Sequence, residues 1–228
     1  MPAAFVVPSP ATLEVARVES LPFGEHSYVV RRAGCRECLI VDPGFEPAEI
    51  IAWIDSQGLQ PVAILLTHGH SDHIAGNAAV KSRWPDLPLL IGRGDAVKLT
   101  DAAANLSAGF GFPLTSPAAD RLLADGERLN LAGCQMVVHE IPGHSAGHVV
   151  FVLDAESPPV VFGGDVLFRE GIGRTDFPDG DFEALAAGIR RHLYSLPAET
   201  IVFPGHGEPT TVGHERRHNP FVAGESPD

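Results

Sequence analysis

Short apolar runs that each end in a turn carrying histidine or aspartate constrain the fold of this chain most strongly. An unbroken apolar run of about five residues has the length of a strand that is buried on both faces. A sheet holds the loop at a strand end rigidly, and open α/β sheets place ligand-binding side chains in such loops. The turns lie at 67–73, 142–144, 163–165 and 204–206. We therefore expect their polar side chains to meet at one edge of the fold.

Strand-like and helix-like segments alternate along the whole chain, which is typical of the α/β class. The two halves are comparable and no linker separates them, so we predict one domain over 1–228, with two mixed sheets flanked by helices. The segment 94–125 has no clear period and is predicted as a helix followed by a long loop. The predicted strands are 12–18, 26–30, 39–41, 62–66, 87–91, 134–141, 149–153, 160–162 and 200–203, and the predicted helices are 47–57, 72–83 and 182–194.

The composition is that of a globular protein. The 228 residues are 44% apolar and 20% charged, which is enough to fill a core and excludes intrinsic disorder. No apolar run reaches transmembrane length, and the first residues lack the basic region of a secretory signal. Three cysteines cannot form a disulfide framework in a chain of this length. We therefore expect a soluble, cytoplasmic protein.

The charge balance limits the kinds of partner. Lys and Arg together number 16 against 29 Asp and Glu, which gives a formal net charge of -13. Nucleic-acid binding needs a basic surface, and an acidic chain is repelled by phosphate backbones and by anionic membrane surfaces. We therefore expect a small-molecule partner and neither a nucleic acid nor a membrane.

The turn at 67–73 carries the densest pattern, His-x-His-x-Asp-His. Residues i and i+2 of an extended segment point the same way, so His68 and His70 can bind one metal ion together. A helix capped by Ser71 is predicted to follow, and it moves Asp72 and His73 to a neighbouring point. One turn thus offers ligands to two adjacent metal positions. A solvated polar loop is the alternative, and the other three turns make it improbable.

His144, Asp165 and His206 occupy the other three turns and can complete two metal sites of normal coordination number. Each has a simpler interpretation when it is taken alone. His144 could be a turn residue, Asp165 a turn former or helix cap, and His206 an exposed loop residue. The four turns together favour metal binding.

The remaining histidines and the cysteines are predicted to have other roles. His148 leads into an apolar strand, which favours a buried hydrogen-bonding role beside the ligands. Cys35 and Cys38 form a lone pair with too few partners for a zinc site, so we place them in a hairpin and in the core. An outward strand position is predicted for His139, and surface or loop positions for His26, His192, His214 and His218.

Four motifs occur in the order in which the metallo-β-lactamase superfamily has them: Thr-His-Gly-His-Ser-Asp-His, Pro-Gly-His-Ser-Ala-Gly-His, Gly-Gly-Asp-Val-Leu-Phe and Pro-Gly-His-Gly. Within the superfamily, the segments Gly-Ile-Gly-Arg-Thr-Asp-Phe at 171–177 and Glu-Arg-Arg-His-Asn-Pro-Phe at 215–221 resemble the short bacterial glyoxalase II-like hydrolases. The resemblance covers about 13–222. It implies an αββα sandwich with a dinuclear metal centre in the cleft between the sheets.

The resemblance also implies a role for individual residues. The ligands of the first metal correspond to His68, His70 and His144. Those of the second metal correspond to Asp72, His73 and His206, and the bridging carboxylate corresponds to Asp165. Arg174, in the loop after Asp165, matches the position at which the family has a basic substrate-contacting residue.

Two features bear on the substrate. Full-length glyoxalase II has a C-terminal helical domain that helps to bind glutathione, whereas residues 207–228 are all that follow His206 here. The Gly-Arg-Thr-Asp-Phe segment is shared with persulfide dioxygenases, which hold a single iron with the equivalents of His68, His144 and Asp165. The Pro-Gly-His-Gly segment at 204–207 resembles the dinuclear hydrolases instead.

The predicted cofactor is a pair of divalent ions, with zinc as the first choice and iron or manganese as alternatives. Two such ions about 3.5–4 Å apart can share a hydroxide near neutral pH. Asp165 would fix their spacing and Asp72 would orient that hydroxide, which makes both residues catalytic candidates.

The predicted function is a dinuclear metal-dependent thioesterase. Its substrate would be S-lactoylglutathione or a related hydroxyacyl thioester, attacked by the metal-bridging hydroxide, because a thiolate leaves without a strong general acid. The alternative is a mononuclear iron persulfide dioxygenase. The native metal, the acyl group, the thiol carrier and the oligomeric state stay open.

Overall fold

The first half of the chain forms a seven-stranded mixed sheet in the computed structural model, which describes residues 5–223. Its strands follow one another in chain order across the sheet. The first four pair antiparallel and the last four pair parallel. They are β1 (Phe5–Val7), β2 (Leu13–Ser20), β3 (Glu25–Arg32), β4 (Glu37–Val41), β5 (Gln60–Leu66), β6 (Leu89–Gly92) and β7 (Arg121–Leu123).

The second half forms a six-stranded mixed sheet and a small two-stranded ribbon. The strands are β8 (Arg128–Leu131), β9 (Cys134–Glu140), β10 (Val149–Leu153), β11 (Val160–Gly164), β12 (Leu167–Phe168), β13 (Gly171–Ile172), β14 (Ile201–Pro204) and β15 (Thr210–Thr211). The sheet order is β15-β14-β11-β10-β9-β8, and β12 pairs with β13 in the ribbon. Within the sheet, β11 and β14 are parallel and the other pairs are antiparallel.

Helices cover the outer faces of both sheets. Ile50 and Ile54 of α1 (Pro47–Ser56) and Val80 of α3 (Asn77–Arg83) pack on the first sheet, and Leu185 of α4 (Phe182–Gly188) packs on the second. This arrangement confirms the predicted αββα sandwich. No helix in the described part of the chain is long and apolar enough to cross a membrane. The helices are α1 (Pro47–Ser56), α2 (Ser71–Ile74), α3 (Asn77–Arg83), α4 (Phe182–Gly188), which continues as a π-helical turn (Ile189–Leu193), and α5 (Val212–His218).

The unbroken apolar runs are buried on both faces, as predicted. Successive side chains of a strand point to opposite faces, so one run serves two cores. Phe151 of β10 lies in the core between the sheets, whereas its neighbours Val150 and Val152 pack under the helices of the second sheet. In β4, Leu39 faces the central core and Ile40 faces the outer one. Packing on both faces therefore holds the strand ends in place and restricts the motion of the turns that follow them.

The predicted helix over 72–83 is interrupted, because α2 ends at Ile74 and α3 begins at Asn77. The backbone N–H of Gly76 donates to the carbonyl of Pro43 at 2.7 Å, and a Cβ at Gly76 would lie 2.5 Å from the carbonyl oxygen of Gly44. This contact with the loop after β4 redirects the chain. The predicted cap at Ser71 is wrong, since His70 is the N-cap residue and α2 has no side-chain cap.

The segment 94–125, predicted as a helix and a long loop, begins within a 3-10 helix (Arg93–Leu99), which is followed by a long loop and then by β7. Asn105 organises the loop, because its side-chain NH₂ donates to the carbonyls of Lys98 and Leu114 at 3.0 Å each. The loop lies beside the turn at 67–73, where the N–H of Ser71 donates to the carbonyl of Asn105 at 3.0 Å. The loop therefore packs against the turn that carries His68 and His70.

Candidate metal centre

The ends of β5, β9, β11 and β14 meet at one edge of the sandwich and bring all the predicted ligands together. The first group is His68, His70 and His144, whose ligand atoms lie within 4.8 Å of one another and are all buried. His70 Nδ1 and His144 Nε2 are 2.9 Å apart, and the His68 ring centroid lies 4.6 Å from that of His70 and 4.9 Å from that of His144. Three imidazoles thus converge on one point.

The second group is Asp72, His73 and His206, whose ligand atoms also lie within 4.8 Å of one another. His206 Nε2 is 3.3 Å from Asp72 Oδ2, and His73 Nε2 is 3.9 Å from the same oxygen. The predicted separation of Asp72 and His73 from the two histidines before them follows from the turn entering α2 at Ser71.

Asp165 lies between the two groups. Its Oδ1 is 3.4 Å from Nε2 of His73, a member of the second group. Its Oδ2 is 3.4 Å from Nε2 of His144, in the first group, and 3.5 Å from Nε2 of His206, in the second. One carboxylate therefore faces both groups, which is the position that a bridging ligand requires.

The donor atoms at the centre fit divalent cations. Nε2 of His68, Nε2 of His73 and Oδ1 of Asp165 are buried and have no hydrogen-bond partner among the described residues. Buried polar atoms in folded proteins are nearly always paired, so a cluster of unpaired ones needs an explanation. Imidazole nitrogens and carboxylate oxygens are the ligands that zinc, iron and manganese accept. Divalent ions at this point would satisfy all of these atoms.

The electrostatics of the first group favour ligation. Burial lowers the pKa of His68 and of His70 well below the ordinary value, and the neighbouring histidines lower it further. Both rings are therefore neutral at pH 7. A neutral imidazole has the lone pair that a metal ion needs.

The second group is held together by opposite charges. Burial alone would lower the pKa of His73, but the carboxylates of Asp165 and Asp72 raise it well above its ordinary value. The pKa of His206 is also raised, against the effect of burial, by Asp165 and Asp72. Burial raises the pKa of Asp165, but the histidines around it, first His206 and then His73, bring it well below the ordinary value. The carboxylates are ionised, as metal ligands must be.

Asp42 orients His73, a role that the sequence did not reveal. Nδ1–H of His73 donates to Asp42 Oδ2 at 3.1 Å, so Nε2 of His73 faces the centre. Asp42 also accepts hydrogen bonds from the N–H and the hydroxyl of Thr67, at 2.7 and 2.6 Å. A carboxylate behind a ligand histidine fixes its ring and tautomer. Asp42 directly follows β4, so the same strand-end rule that found the ligands could have found it.

Asp95 links two of the histidine-bearing turns through hydrogen bonds, and it too was not predicted from the sequence. Its carboxylate accepts from the N–H of Gly69 at 2.8 Å, from the hydroxyl of Ser145 at 2.7 Å and from the N–H of Gly147 at 2.7 Å. The first partner belongs to the turn at 67–73, and the other two follow His144. Asp95 lies in the 3-10 helix that directly follows β6, so the strand-end rule that found the ligands could have found this residue as well.

Glycine is required beside two of the histidines. Gly143 has φ +125, and a Cβ there would lie 2.3 Å from the carbonyl oxygen of Asp181. A Cβ on Gly205 would lie 2.3 Å from Asp165 Oδ1 and 2.6 Å from Cε1 of His73. A Cβ at either position would clash, so both Pro-Gly-His turns require glycine before the histidine.

The other histidines follow the predictions with one exception. His148 is buried and its Nε2 accepts a hydrogen bond from the N–H of Asp165 at 3.1 Å, which confirms its predicted role. The prediction for His26 is wrong, because this residue is buried in β3. Burial is also the main reason why its pKa is lowered to about 3. The backbone N–H of His26 donates to the carbonyl of Gly205 at 2.7 Å, which connects β3 to the turn before His206. Half-buried or exposed positions are found for His139, His192, His214 and His218.

Arg174 lines the cavity above the centre, where a substrate-contacting residue was predicted. Its guanidinium forms two hydrogen bonds of 2.7 Å with Asp176 and lies 4.2 Å above the ring of Phe177. Its carbonyl accepts from Nδ1–H of His144 at 2.9 Å, which directs Nε2 of that ring to the centre. The backbone of Arg174 thus orients a candidate ligand, while its side chain stands at the cavity wall.

The cysteines lie away from the centre, as predicted. Cys35 is exposed in the turn between β3 and β4, where its N–H donates to the carbonyl of Arg32 at 2.9 Å. Cys38 and Cys134 are buried in strands, and burial raises the pKa of Cys38 to about 12 and that of Cys134 to about 11. Such thiols are inert packing groups.

Residues 21–206 match the metallo-beta-lactamase superfamily. A relative in Bacillus subtilis, named "Probable metallo-hydrolase YqgX", is 41% identical over 192 residues, which cover 83% of this chain and 89% of that protein. A relative in Haemophilus influenzae, named "Hydroxyacylglutathione hydrolase GloC", is 37% identical over 194 residues, which cover 84% of this chain and 90% of that protein.

Two solved structures resemble the fold closely. One, entitled "Crystal structure of BLEG-1 B3 metallo-beta-lactamase", superposes with a TM-score of 0.86 at 37% identity and covers 92% of this chain and 100% of its own. The other, entitled "Crystal structure of TTHA1623 in a di-iron-bound form", has a TM-score of 0.80 at 39% identity and covers 90% of this chain and 99% of its own.

Proposed function

Because this chain is a hydrolase of the metallo-beta-lactamase superfamily, we propose that it is a dinuclear metal-dependent thioesterase that acts on S-lactoylglutathione or a related hydroxyacyl thioester. One observation carries the dinuclear part of the proposal. Two groups of buried ligand atoms lie side by side, and the two oxygens of Asp165 face both of them.

Each group has the residues to hold one divalent ion. His68, His70 and His144 would hold the first ion, and Asp72, His73 and His206 the second, with Asp165 shared. Zinc is the first choice of metal for this set of imidazoles and carboxylates, with iron and manganese as alternatives. The relative solved in a di-iron-bound form supports a dinuclear centre and keeps iron among the candidates.

The protein's own groups suit ester-type hydrolysis. When bound, two divalent ions supply a strong water-derived nucleophile at neutral pH and stabilise the charge that develops on the carbonyl oxygen. Asp72 and Asp165 both line the cavity, where their ionised carboxylates can accept a hydrogen bond from the attacking water and orient it. The proposed mechanism therefore needs no nucleophilic serine or cysteine.

The thioester substrate is proposed from chemistry and from a relative. A thiolate leaves readily, so cleavage of a thioester does not depend on a strong general acid. The relative named as a hydroxyacylglutathione hydrolase matches most of this chain, which supports a hydroxyacyl thioester as the substrate. Arg174 at the cavity wall is the candidate contact for a carboxylate of the thiol carrier.

The mononuclear iron persulfide dioxygenase is the alternative function. An enzyme with a single iron needs no second group of ligands. Here Asp72, His73 and His206 converge, and Nε2 of His206 lies 3.3 Å from Asp72 Oδ2 and 3.5 Å from Asp165 Oδ2. This arrangement supports the hydrolase over the dioxygenase.

The proposal is tested by reconstitution. Protein stripped with a chelator is loaded with zinc, iron or manganese in separate samples, and hydrolysis of S-lactoylglutathione is followed by loss of the thioester absorbance. We expect saturable turnover that appears with metal and reaches its maximum near two ions per chain. Absence of thioester hydrolysis in all three loaded samples would contradict the proposed function.

A further inference from the structure

We propose that the cavity above the centre selects hydroxyacyl thioesters whose acyl group is large and apolar, such as an aromatic hydroxyacyl group, over the small lactoyl group. This inference rests on the proposed thioesterase function and specifies its substrate class. It is carried by the walls of the cavity, by an exposed aromatic cluster at its mouth and by the shortage of positive charge there.

Apolar side chains form much of the cavity wall beside the candidate ligands. Phe177 packs edge-on against His70, with ring centroids 5.2 Å apart, and Phe168 packs edge-on against His206 at 6.1 Å. Leu106 and Ile172 add aliphatic side chains to the wall, which encloses a space of about 340 Å³ and also includes the polar residues Ser71, Asn105 and Arg174. A group attached to a carbonyl at the centre can therefore pack on phenylalanine and aliphatic side chains.

An aromatic cluster forms the mouth of the cavity. The Phe23 ring centroid lies 5.8 Å from those of Phe45 and Phe110, and Phe110 stacks on Phe112 at 6.1 Å with an interplanar angle of 16°. Phe23 and Phe110 line the cavity, yet Phe110 is 54% exposed. Large apolar side chains gathered at an exposed site mark a place where an apolar ligand or partner binds.

The cavity offers little to attract an anionic acyl group. Within residues 5–223, Arg174 provides the only guanidinium or ammonium group that lines it. That guanidinium is already bonded to both oxygens of Asp176 and stacked on Phe177. Lys98, behind the adjacent loop, is bonded to Asp179 at 2.6 Å. An anionic thiol carrier therefore stays near the mouth, where the side chain of Arg174 is 58% exposed, and the acyl group enters the apolar space.

The test compares two substrates that differ only in the acyl group. The glutathione thioester of mandelic acid has a phenyl ring where that of lactic acid has a methyl group, and both carry the same hydroxyl and the same thiol. Extra apolar surface in a matching pocket changes kcat/KM by about 10–200-fold. We expect kcat/KM to be at least about tenfold higher for the mandeloyl thioester. An equal or lower value would overturn the inference while leaving the thioesterase function intact.

Substitutions test whether the mouth of the cavity determines the preference for the mandeloyl thioester. Phe110→Ala should reduce the mandeloyl-to-lactoyl ratio by at least about threefold. Phe221→Ala is the matched control, because Phe221 is 52% exposed but lies outside the cavity lining. It should leave the ratio unchanged. A ratio that is the same in wild type and in Phe110→Ala would overturn the inference.

A binding measurement keeps the inference testable even if neither thioester is cleaved, which would refute the proposed function. Metal-free protein is titrated with N-phenyl-1-naphthylamine, an uncharged probe that fluoresces in apolar surroundings. We expect saturable binding that Phe110→Ala weakens at least about threefold and Phe221→Ala does not change. Absence of saturable binding to the wild-type protein would overturn the proposed apolar selectivity.

Discussion

Asp165 connects the two groups of candidate ligands, since its two oxygens lie 3.4 Å from histidines of different groups. Its backbone N–H donates to Nε2 of His148 at 3.1 Å, and its carboxylate lies among the imidazoles of His73, His144 and His206. The side chain is therefore positioned before any ion arrives. Its negative charge, more than its shape, is what two cations would share.

Replacing Asp165 by asparagine tests that charge. Asn keeps the size of the side chain but puts an NH₂ group, which cannot bind a metal ion, where one oxygen was. We expect Asp165→Asn to lose metal on gel filtration and to lower thioester turnover by at least about a hundredfold, measured by elemental analysis and by kcat. Asp55→Asn, an exposed carboxylate on α1, is the control and should match wild type. Normal turnover in Asp165→Asn would show that another residue bridges.

At the residue scale, the sequence predicted the candidate ligands and missed the residues that hold them. Histidine and aspartate after an apolar strand are visible in the sequence, because strand ends can be predicted from apolar runs. The partners of Asp95 lie 26, 50 and 52 residues away along the chain, and no local pattern indicates such contacts. His26 was misplaced for the same reason, since the turn that buries it comes from the other sheet.

At the scale of elements, the turns depend on one another through the 3-10 helix that carries Asp95. This fully buried carboxylate joins the turn of His68 and His70 to the segment after His144. The first metal group therefore needs Asp95 for its geometry, although Asp95 touches neither of the two groups of candidate ligands.

Asp95→Asn should loosen that connection. Its NH₂ group would face an N–H or hydroxyl donor and leave at least one buried hydrogen bond unmade, which costs about 1–3 kcal/mol. We expect the free energy of unfolding of metal-free protein to fall by that amount in urea, and the affinity for the first ion to fall as well. Asp101→Asn is the control, because Asp101 accepts two N–H groups in the same loop but is exposed. An Asp95→Asn protein with unchanged unfolding energy and metal affinity would contradict the positioning role.

Long elements were predicted better than short ones. Strands such as β5 and β10 and helices such as α1 have enough residues to show a period. The strands β12, β13 and β15 have two residues each and show none. The break between α2 and α3 depends on the contact of Gly76 with the loop after β4, which arises only when the chain is folded.

At the scale of the whole molecule, two sheets with separate outer cores bring their strand ends to one edge. The first sheet contributes His68, His70, Asp72 and His73, and the second contributes His144, Asp165 and His206. Neither half contains a complete ligand set, so the centre exists only when both sheets pack together. The order of the motifs along the chain, and their resemblance to a known family, made this assembly predictable.

The substitution His206→Ala tests the dinuclear hydrolase most directly, because His206 belongs to the second group alone. We expect two ions per chain in the loaded wild-type protein and about one in His206→Ala, with thioester hydrolysis reduced by orders of magnitude. Metal content by elemental analysis, thioester hydrolysis and oxygen uptake with glutathione persulfide are measured on both proteins. Persulfide-dependent oxygen uptake that survives the substitution, with unchanged iron content, would contradict the hydrolase account.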